Sequence, residues 1–590
     1  MASTGQVTTS TSPTSLINGI VQDHTGTGTL RIPIRTKNQL QVAHTEILAV
    51  SERIVRLMAT VREATFDLFR AHGMTTIFGN PGSTELPMLK DFPEDFSYVL
   101  GLQELVVVGM ADGFAQASGR PAHVNLHTAP GVGNAIGGIS NAQANRSPLL
   151  ITAGQQVRPQ ITMEASLTNR DAVFAPQPYV KWAHEPPRAQ DVPQAIARAI
   201  HHASLPPRGP AFVSIPMDDW DLDADEDTTR HTLARSVTGR ATPDPVALEE
   251  LAGMLHDARN PVLIAGPDID ASGGWQAAVA LVEKQRLPVW ATPAPGGGRI
   301  GFPEDHANFL GILPPAIGPA SVTLSGHDLV LVVGSSVFPY YPYIPGPLLP
   351  DGATLVQITS DPGEAARAPM GNAIVGDVGL ALATLVELLS PSERRVPQAR
   401  ALPGEPAEAD PLSGSAAMAA LADVWPQDAI AVLEAPSSTV ALRNRLRLSQ
   451  PGSYYFSASG GLGFGIAAAV GVQLAQPERP VVCVLGEGSA QYGITALWTA
   501  AAYRVPVTFL VLRNEEYMIL KWFAQLEQAA GVPGLDLQGL DVAAIATAYG
   551  VPSQDVDGRE QLTEALRAAI AAEDGPRLVQ VPVASGMWLD

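Results

Sequence analysis

Gly486-Glu487-Gly488-Ser489 puts one carboxylate between two glycines at the end of a short apolar run, Val481–Leu485, rich in β-branched residues. The glycines let the backbone turn tightly and approach a ligand. The helix that follows turns its first amide N–H groups toward that ligand, which favours a phosphate. A carboxylate beside a phosphate repels it unless a divalent cation lies between them. Asn514 and Glu516, at the end of the next apolar run Val507–Leu512, complete an oxygen-rich set suited to Mg²⁺ or Ca²⁺. The chemistry predicted for residues 480–523 is a metal-bridged diphosphate. An ordinary strand–turn–helix with an incidental acid is the alternative.

Other reactive side chains fall at the ends of other predicted strands. Ser83 closes the turn Gly79-Asn80-Pro81-Gly82-Ser83 after Thr76–Phe78. Glu104 follows Tyr98–Leu102, and His127 follows Ala122–Leu126, ahead of a glycine-rich stretch to Asn134. Ser437 and Ser438 follow Ala429–Leu433. Open parallel sheets place ligands at that edge. Each residue alone reads as structural: a turn serine, a capping glutamate, a loop histidine. Three at one sheet edge shift the reading toward a site.

The elements that must position them alternate strand and helix, so the fold class is α/β with doubly wound parallel sheets. At 590 residues, 46% hydrophobic and 16% charged, the chain can build several large cores. Its net charge of −21 argues against nucleic acid. No apolar run is long enough to span a bilayer, and a single cysteine, Cys483, fits a reducing cytoplasm. Cys483 itself reads as a small buried apolar residue. Residues 1–57, Ser/Thr-rich apart from an apolar-periodic piece at Ile47–Met58, read as a flexible N-terminal extension. Three domains follow at 58–237, 238–388 and 415–590, with a linker at 389–414. The acidic and polar stretch Asp218–Asp244 reads as solvated linker. The middle domain, with expected strands Pro261–Ala265, Val289–Ala291, Asp328–Val333 and Thr354–Ile358 and an extended loop Pro339–Gly346, reads as scaffold.

Longer stretches carry a resemblance. FGNPGSTELPMLKDFPEDF, GLQE, NLHTAPGVGNAIGG, SPLLITAGQQ, GSYYF, GGLGF and ALWTAA, together with GEGS and the downstream Asn514, resemble the thiamine-diphosphate-dependent decarboxylase family in its benzoylformate decarboxylase branch. The resemblance covers residues 58–590. It implies three domains of that type, a homodimer at minimum and a homotetramer as the usual assembly. It implies that Glu104 activates the cofactor's pyrimidine, with Asn80 and Pro81 beside it. Gly460 and Leu462 would hold and bend the cofactor, and Ser437, Ser438, Gly486, Gly488, Ser489 and Tyr517 would line its diphosphate end. Glu487, Asn514 and the carbonyl of Glu516 would bind the metal. The implied reaction is non-oxidative decarboxylation of an aromatic 2-oxo acid to an aldehyde through a thiamine-diphosphate enamine. Ser83 would bind the substrate carboxylate and His127 would shuttle protons. Ser166, Leu167, Pro436, Phe456, Ile519, Leu520 and Phe523 would form the substrate pocket.

The sequence departs from that family at several points. Glu487 stands where the family has Asp, one methylene further out. Tyr341 stands where the family has a second catalytic His, and His306 is structural. A phenol, with a pKa of about 10, donates a proton less readily near neutrality. That opens a second reading, a carboligase joining aldehydes into 2-hydroxy ketones. Ile519 replaces a small residue, Ser166 an apolar one and Pro436 a Thr, so a smaller 2-oxo acid is a further possibility. A cofactor-binding protein without catalysis is the reading from another class. Acetolactate synthesis lacks a clear flavin-binding signal in the middle domain.

Overall fold

Strands buried on both faces need apolar side chains on both, so they read as continuous apolar runs rather than alternating ones. Leu329–Val333 and Ile430–Glu434 are of this kind, buried at every position. A computed structural model describes residues 59–293, 298–529 and 531–588, and the backbone alone of 17–22 and 29–34. It contains three six-stranded sheets, parallel throughout and flanked by helices, as expected. Of the stretch 1–57, Ile17–Gln22 pairs antiparallel with Thr29–Ile34. The rest of it, Ile47–Met58 included, lies outside the described residues.

The first sheet is built from Thr76–Gly79, Ser97–Leu100, Ala122–Leu126, Leu149–Gln155, Ala183–His184 and Ala211–Pro216. Numbered in chain order within the sheet, they lie 2-1-3-4-6-5. The third sheet, Ile430–Glu434, Tyr454–Phe456, Val481–Gly486, Val507–Arg513, Ser553–Asp555 and Arg577–Pro582, has the same order. The middle sheet runs 3-2-1-4-5-6, the order of dinucleotide-binding folds. It holds two strands that the sequence hides. Phe309–Ile312 contains Gly311, and Asn372–Val375 is an edge strand with only Ile374 buried.

Three stretches carry more order than their composition shows. The glycine-rich stretch after His127 is the start of a helix, Thr128–Ala144. Its proline, Pro130, sits in the first turn, where no amide hydrogen is needed. The stretch 218–244 contains a helix, Glu226–Leu233, capped by Asp225. None of its residues is buried, so it shows no apolar face to read. The linker 389–414 is fastened at two points: Arg394 donates to the carbonyls of Leu255 and Ala258, and Arg400 to that of Glu304.

The first and third domains share one apolar core. Its seam is the contact between helix Glu104–Ser118 and helix Gly465–Ala475. A Cβ at Gly471 would lie 1.9 Å from the carbonyl oxygen of Met110, and one at Gly113 would lie 2.2 Å from that of Ala468. Only glycine permits this approach. Buried ion pairs set the middle domain: Arg443 meets Glu304 at 3.0 Å, and Arg146 reaches Asp268 and Glu364. Such pairs fix orientation more than they stabilise. Gly471→Ala should force these two helices apart and cost about 1–3 kcal/mol. A lowered thermal midpoint in calorimetry checks this, whereas Gly253→Ala, on an open face, should not lower it.

Candidate active site

The first domain assembles an acid and a base around one glycine. Glu104 is the first residue of its helix and is 7% exposed. Its Oε1 accepts from Asn80 Nδ2 at 3.2 Å, and its Oε2 from Asn134 Nδ2 at 3.1 Å. A Cβ at Gly131 would touch both Glu104 Oε1, at 3.4 Å, and the His127 side chain, at 3.3 Å. The two candidates therefore flank the same position. His127 Nδ1 lies 2.9 Å from Glu85 Oε2 and 3.2 Å from Thr84 Oγ1. A carboxylate at that distance is an acceptor, so Nδ1 carries hydrogen and Nε2 is left to exchange protons. Gly82 is required here, because a Cβ would lie 2.0 Å from His127 Nδ1. Ser83 and Pro81 are exposed on the same turn.

Glu85 and Asn134 were not singled out by the sequence reading. Glu85 is buried and fully engaged: it accepts from Gly82 N at 2.8 Å, Gly154 N at 3.0 Å and Thr84 Oγ1 at 2.7 Å, besides meeting His127. Two of its partners, the Gly154 amide and the His127 ring, lie about seventy and about forty residues away, which no local pattern announces.

The third domain assembles the oxygen set. Pro436, Ser437, Ser438, Gly486, Glu487, Gly488, Ser489, Asn514, Glu516, Tyr517 and Ile519 are brought together around a cavity of about 50 Å³. Three different strand ends supply them. Glu487 is 1% exposed, and burial raises its carboxyl above the usual range. Its Oε1 accepts from the amides of Asn514, at 3.1 Å, and Glu515, at 2.5 Å. The Glu516 carboxylate is taken up by Lys521 and Ser585, so its backbone carbonyl is the atom it can offer. A Cβ at Gly488 would lie 2.6 Å from the Tyr517 ring, so that corner is closed to a larger residue. No first-domain residue lines this cavity.

Gly460 and Leu462 stand on the loop ahead of helix Gly465–Ala475. Gly460 adopts φ +73° and Gly463 φ +98°, the left-handed region that favours glycine. Among the substrate candidates, Phe523 packs against Tyr341 with ring centroids 4.9 Å apart and planes tilted by 44°, which joins the middle-domain loop to helix Met518–Leu526. Tyr341 is 59% exposed, and Leu520 is exposed beside Phe523. Phe456 is buried among third-domain core residues. Ser166 accepts a hydrogen bond from Gln156 through its carbonyl, and Leu167 is exposed with φ +69°. Neither touches the cavity's lining. His306 packs on Phe302 and meets Glu283, as expected of a structural histidine.

A larger cavity of about 480 Å³ lies between the first and middle domains and contains none of these residues. Three of its four arginines, Arg146, Arg240 and Arg299, are ion-paired.

Three family models of the thiamine pyrophosphate enzymes match the chain: the N-terminal binding domain over residues 59–173, the central domain over 248–385 and the C-terminal binding domain over 435–581. The chain is 54% identical to benzoylformate decarboxylase of Pseudomonas aeruginosa over 528 residues, 89% of this chain and 99% of that protein. The 4-hydroxybenzoylformate decarboxylase of Rhodococcus jostii, thiamine-diphosphate-dependent, superposes with a TM-score of 0.88 at 45% identity, covering 90% of this chain and all of that one. Benzoylformate decarboxylase of Polynucleobacter necessarius gives a TM-score of 0.87 at 42% identity, with the same coverage.

Glu85→Gln would present His127 with an amide in place of the carboxylate that fixes its proton. Turnover should fall about tenfold or more with little change in KM, and the pH–rate profile should shift. Steady-state kinetics across pH checks this.

Proposed function

From the premise that the chain belongs to the thiamine-diphosphate-dependent decarboxylase family, we propose that it converts a benzoylformate-like aromatic 2-oxo acid to an aldehyde and CO₂. The observation that carries this reading is the pairing of a buried acid, Glu104, with an oriented base, His127, against Gly131.

The residues present fit the cofactor. Glu487, the Asn514 amide and the Glu516 carbonyl are hard oxygen donors of the kind Mg²⁺ takes, its remaining positions being filled by phosphate oxygens. Ser437, Ser438 and Ser489 supply hydroxyls for the phosphates. The cavity admits only a few water-sized groups, which suits the diphosphate end of the cofactor alone. The remainder needs the surface that carries Glu104, which we assign to a second copy of the chain. A homodimer is therefore the smallest active unit, and a homotetramer is the assembly we expect.

Bound there, thiamine diphosphate supplies an electron sink for cleavage of the bond to the carboxylate. Glu104, held by two amide side chains and shielded from water, exchanges a proton with a ring nitrogen. Ser83 offers its hydroxyl to the substrate carboxylate. His127 gives and takes the proton at Nε2 while Glu85 keeps Nδ1 protonated. Tyr341 and Phe523 form an apolar wall suited to an aromatic ring. One buried thiol, Cys483, fits a cytoplasmic location.

Tyr341 favours a second activity, carboligation of aldehydes, because a phenol protonates a carbanion less readily than an imidazolium does. Supplied with thiamine diphosphate, Mg²⁺ and benzoylformate, the protein should release CO₂ and benzaldehyde, lose activity to a chelator and regain it with Mg²⁺. Absence of both products would contradict the proposed reaction. Tyr341→His should raise the aldehyde fraction over 2-hydroxy ketone, read by chromatography. An unchanged ratio would remove Tyr341 from the protonation path.

A further inference from the structure

Glu434 ends the first strand of the third sheet and is 3% exposed, yet the reaction above gives it no role. Its Oε1 accepts from Gly463 N at 2.7 Å and from Phe464 N at 3.0 Å, and its Oε2 from Gly465 N at 3.1 Å. These amides open helix Gly465–Ala475, whose own N-cap residue contributes no side-chain bond. A carboxylate from about thirty residues upstream thus satisfies helix-end donors that otherwise lack partners. The fit is close: a Cβ at Gly465 would lie 2.7 Å from Glu434 Cβ. Burial pushes the carboxyl up to about 8, against three amide donors that favour its ionised form.

The position of this clamp sets it apart from an ordinary cap. Leu462 is the residue just before the first clamped amide. Ser437 and Ser438, which line the diphosphate cavity, follow Glu434 within the same strand end. The loop's other end is gripped from the first domain. Asn145 Oδ1 accepts from Ala458 N at 2.9 Å, and Asn141 Nδ2 donates to the Gly461 carbonyl at 3.1 Å. Residues 457–463 are therefore suspended between two anchors, with Leu462 between the Gly461 carbonyl held by Asn141 and the Gly463 amide held by Glu434.

We propose that Glu434 is a positioning residue of the active site: by clamping the amides of residues 463–465 it sets where Leu462 and the Gly460 carbonyl stand against the cofactor. This rests on the functional reading above. In Glu434→Gln one oxygen must serve three donors, and the amide NH₂ faces an N–H. The variant should bind thiamine diphosphate about tenfold more weakly by calorimetry, the scale of one lost charge-assisted hydrogen bond. At saturating cofactor kcat should fall while KM for the 2-oxo acid holds. In a Leu462→Ala background the same substitution should cost much less, because the residue it positions is gone. A variant whose thermal midpoint falls while cofactor affinity and kcat stay unchanged would overturn the proposal and leave Glu434 a helix cap.

Should the variant not fold, hydrogen exchange on the unaltered apoprotein decides. The amides of Gly463, Phe464 and Gly465 should already be protected before cofactor is added. Exchange at free-loop rates until cofactor arrives would overturn the proposal. The unaltered protein's own cofactor titration and turnover separate the two claims. If neither is seen, the functional reading fails; if both are seen and Glu434→Gln matches them, only this inference fails.

Discussion

Helix Glu104–Ser118 and helix Gly465–Ala475 touch backbone to backbone because residues 109, 113 and 471 have no side chains to hold them apart. The contact runs with Leu105 against Gly463, Gly109 against Ala467 and Gly471 against Met110, so the two N-terminal ends lie at the same end of the seam. Glu104 opens one helix, and Leu462 precedes the other by three residues. Glu104 and Leu462 are therefore both carried at one end of this seam. A shift of this seam moves both at once.

The first and third sheets share one strand order. In each, the first three strands in sequence end in functional residues. In the first domain these are Ser83, Glu104 and His127. In the third they are Ser437 and Ser438, Gly460 and Leu462, and Glu487, with Asn514 added by the fourth strand. Ligands bind outside the carboxyl ends of parallel strands, and one topology thus presents two complementary edges. The middle domain, tied on through Arg146 and Arg443, contributes Tyr341 from a loop that reaches Phe523.

Much of this was legible in the sequence because the informative residues sit next to the strands that carry them. Glu487 between two glycines, His127 after AHVNL and Glu104 after a short strand are each local patterns, and the structure leaves them at strand ends. Glu85 and Glu434 were not legible as working residues. Each is a buried carboxylate that reaches at least one backbone amide about thirty to seventy residues away, and amides carry no sequence signature. The helix after His127 was hidden by its glycines and proline, which look like a turn but serve close packing: a Cβ at Gly138 would press on Val108 at 3.0 Å. The edge strand Asn372–Val375 was hidden because an exposed edge needs no apolar run.

The central claim is that each active site joins the first-domain edge of one chain to the third-domain edge of another. Co-expression of Glu104→Gln and Asn514→Ala chains under two different tags, with purification of the mixed dimer, tests it most directly. Each variant alone should be inactive. In the mixed dimer one site collects both defects and the other none, so about half of the unaltered specific activity should return. A mixed dimer as inactive as its parents would place both halves of the site within a single chain and contradict the account.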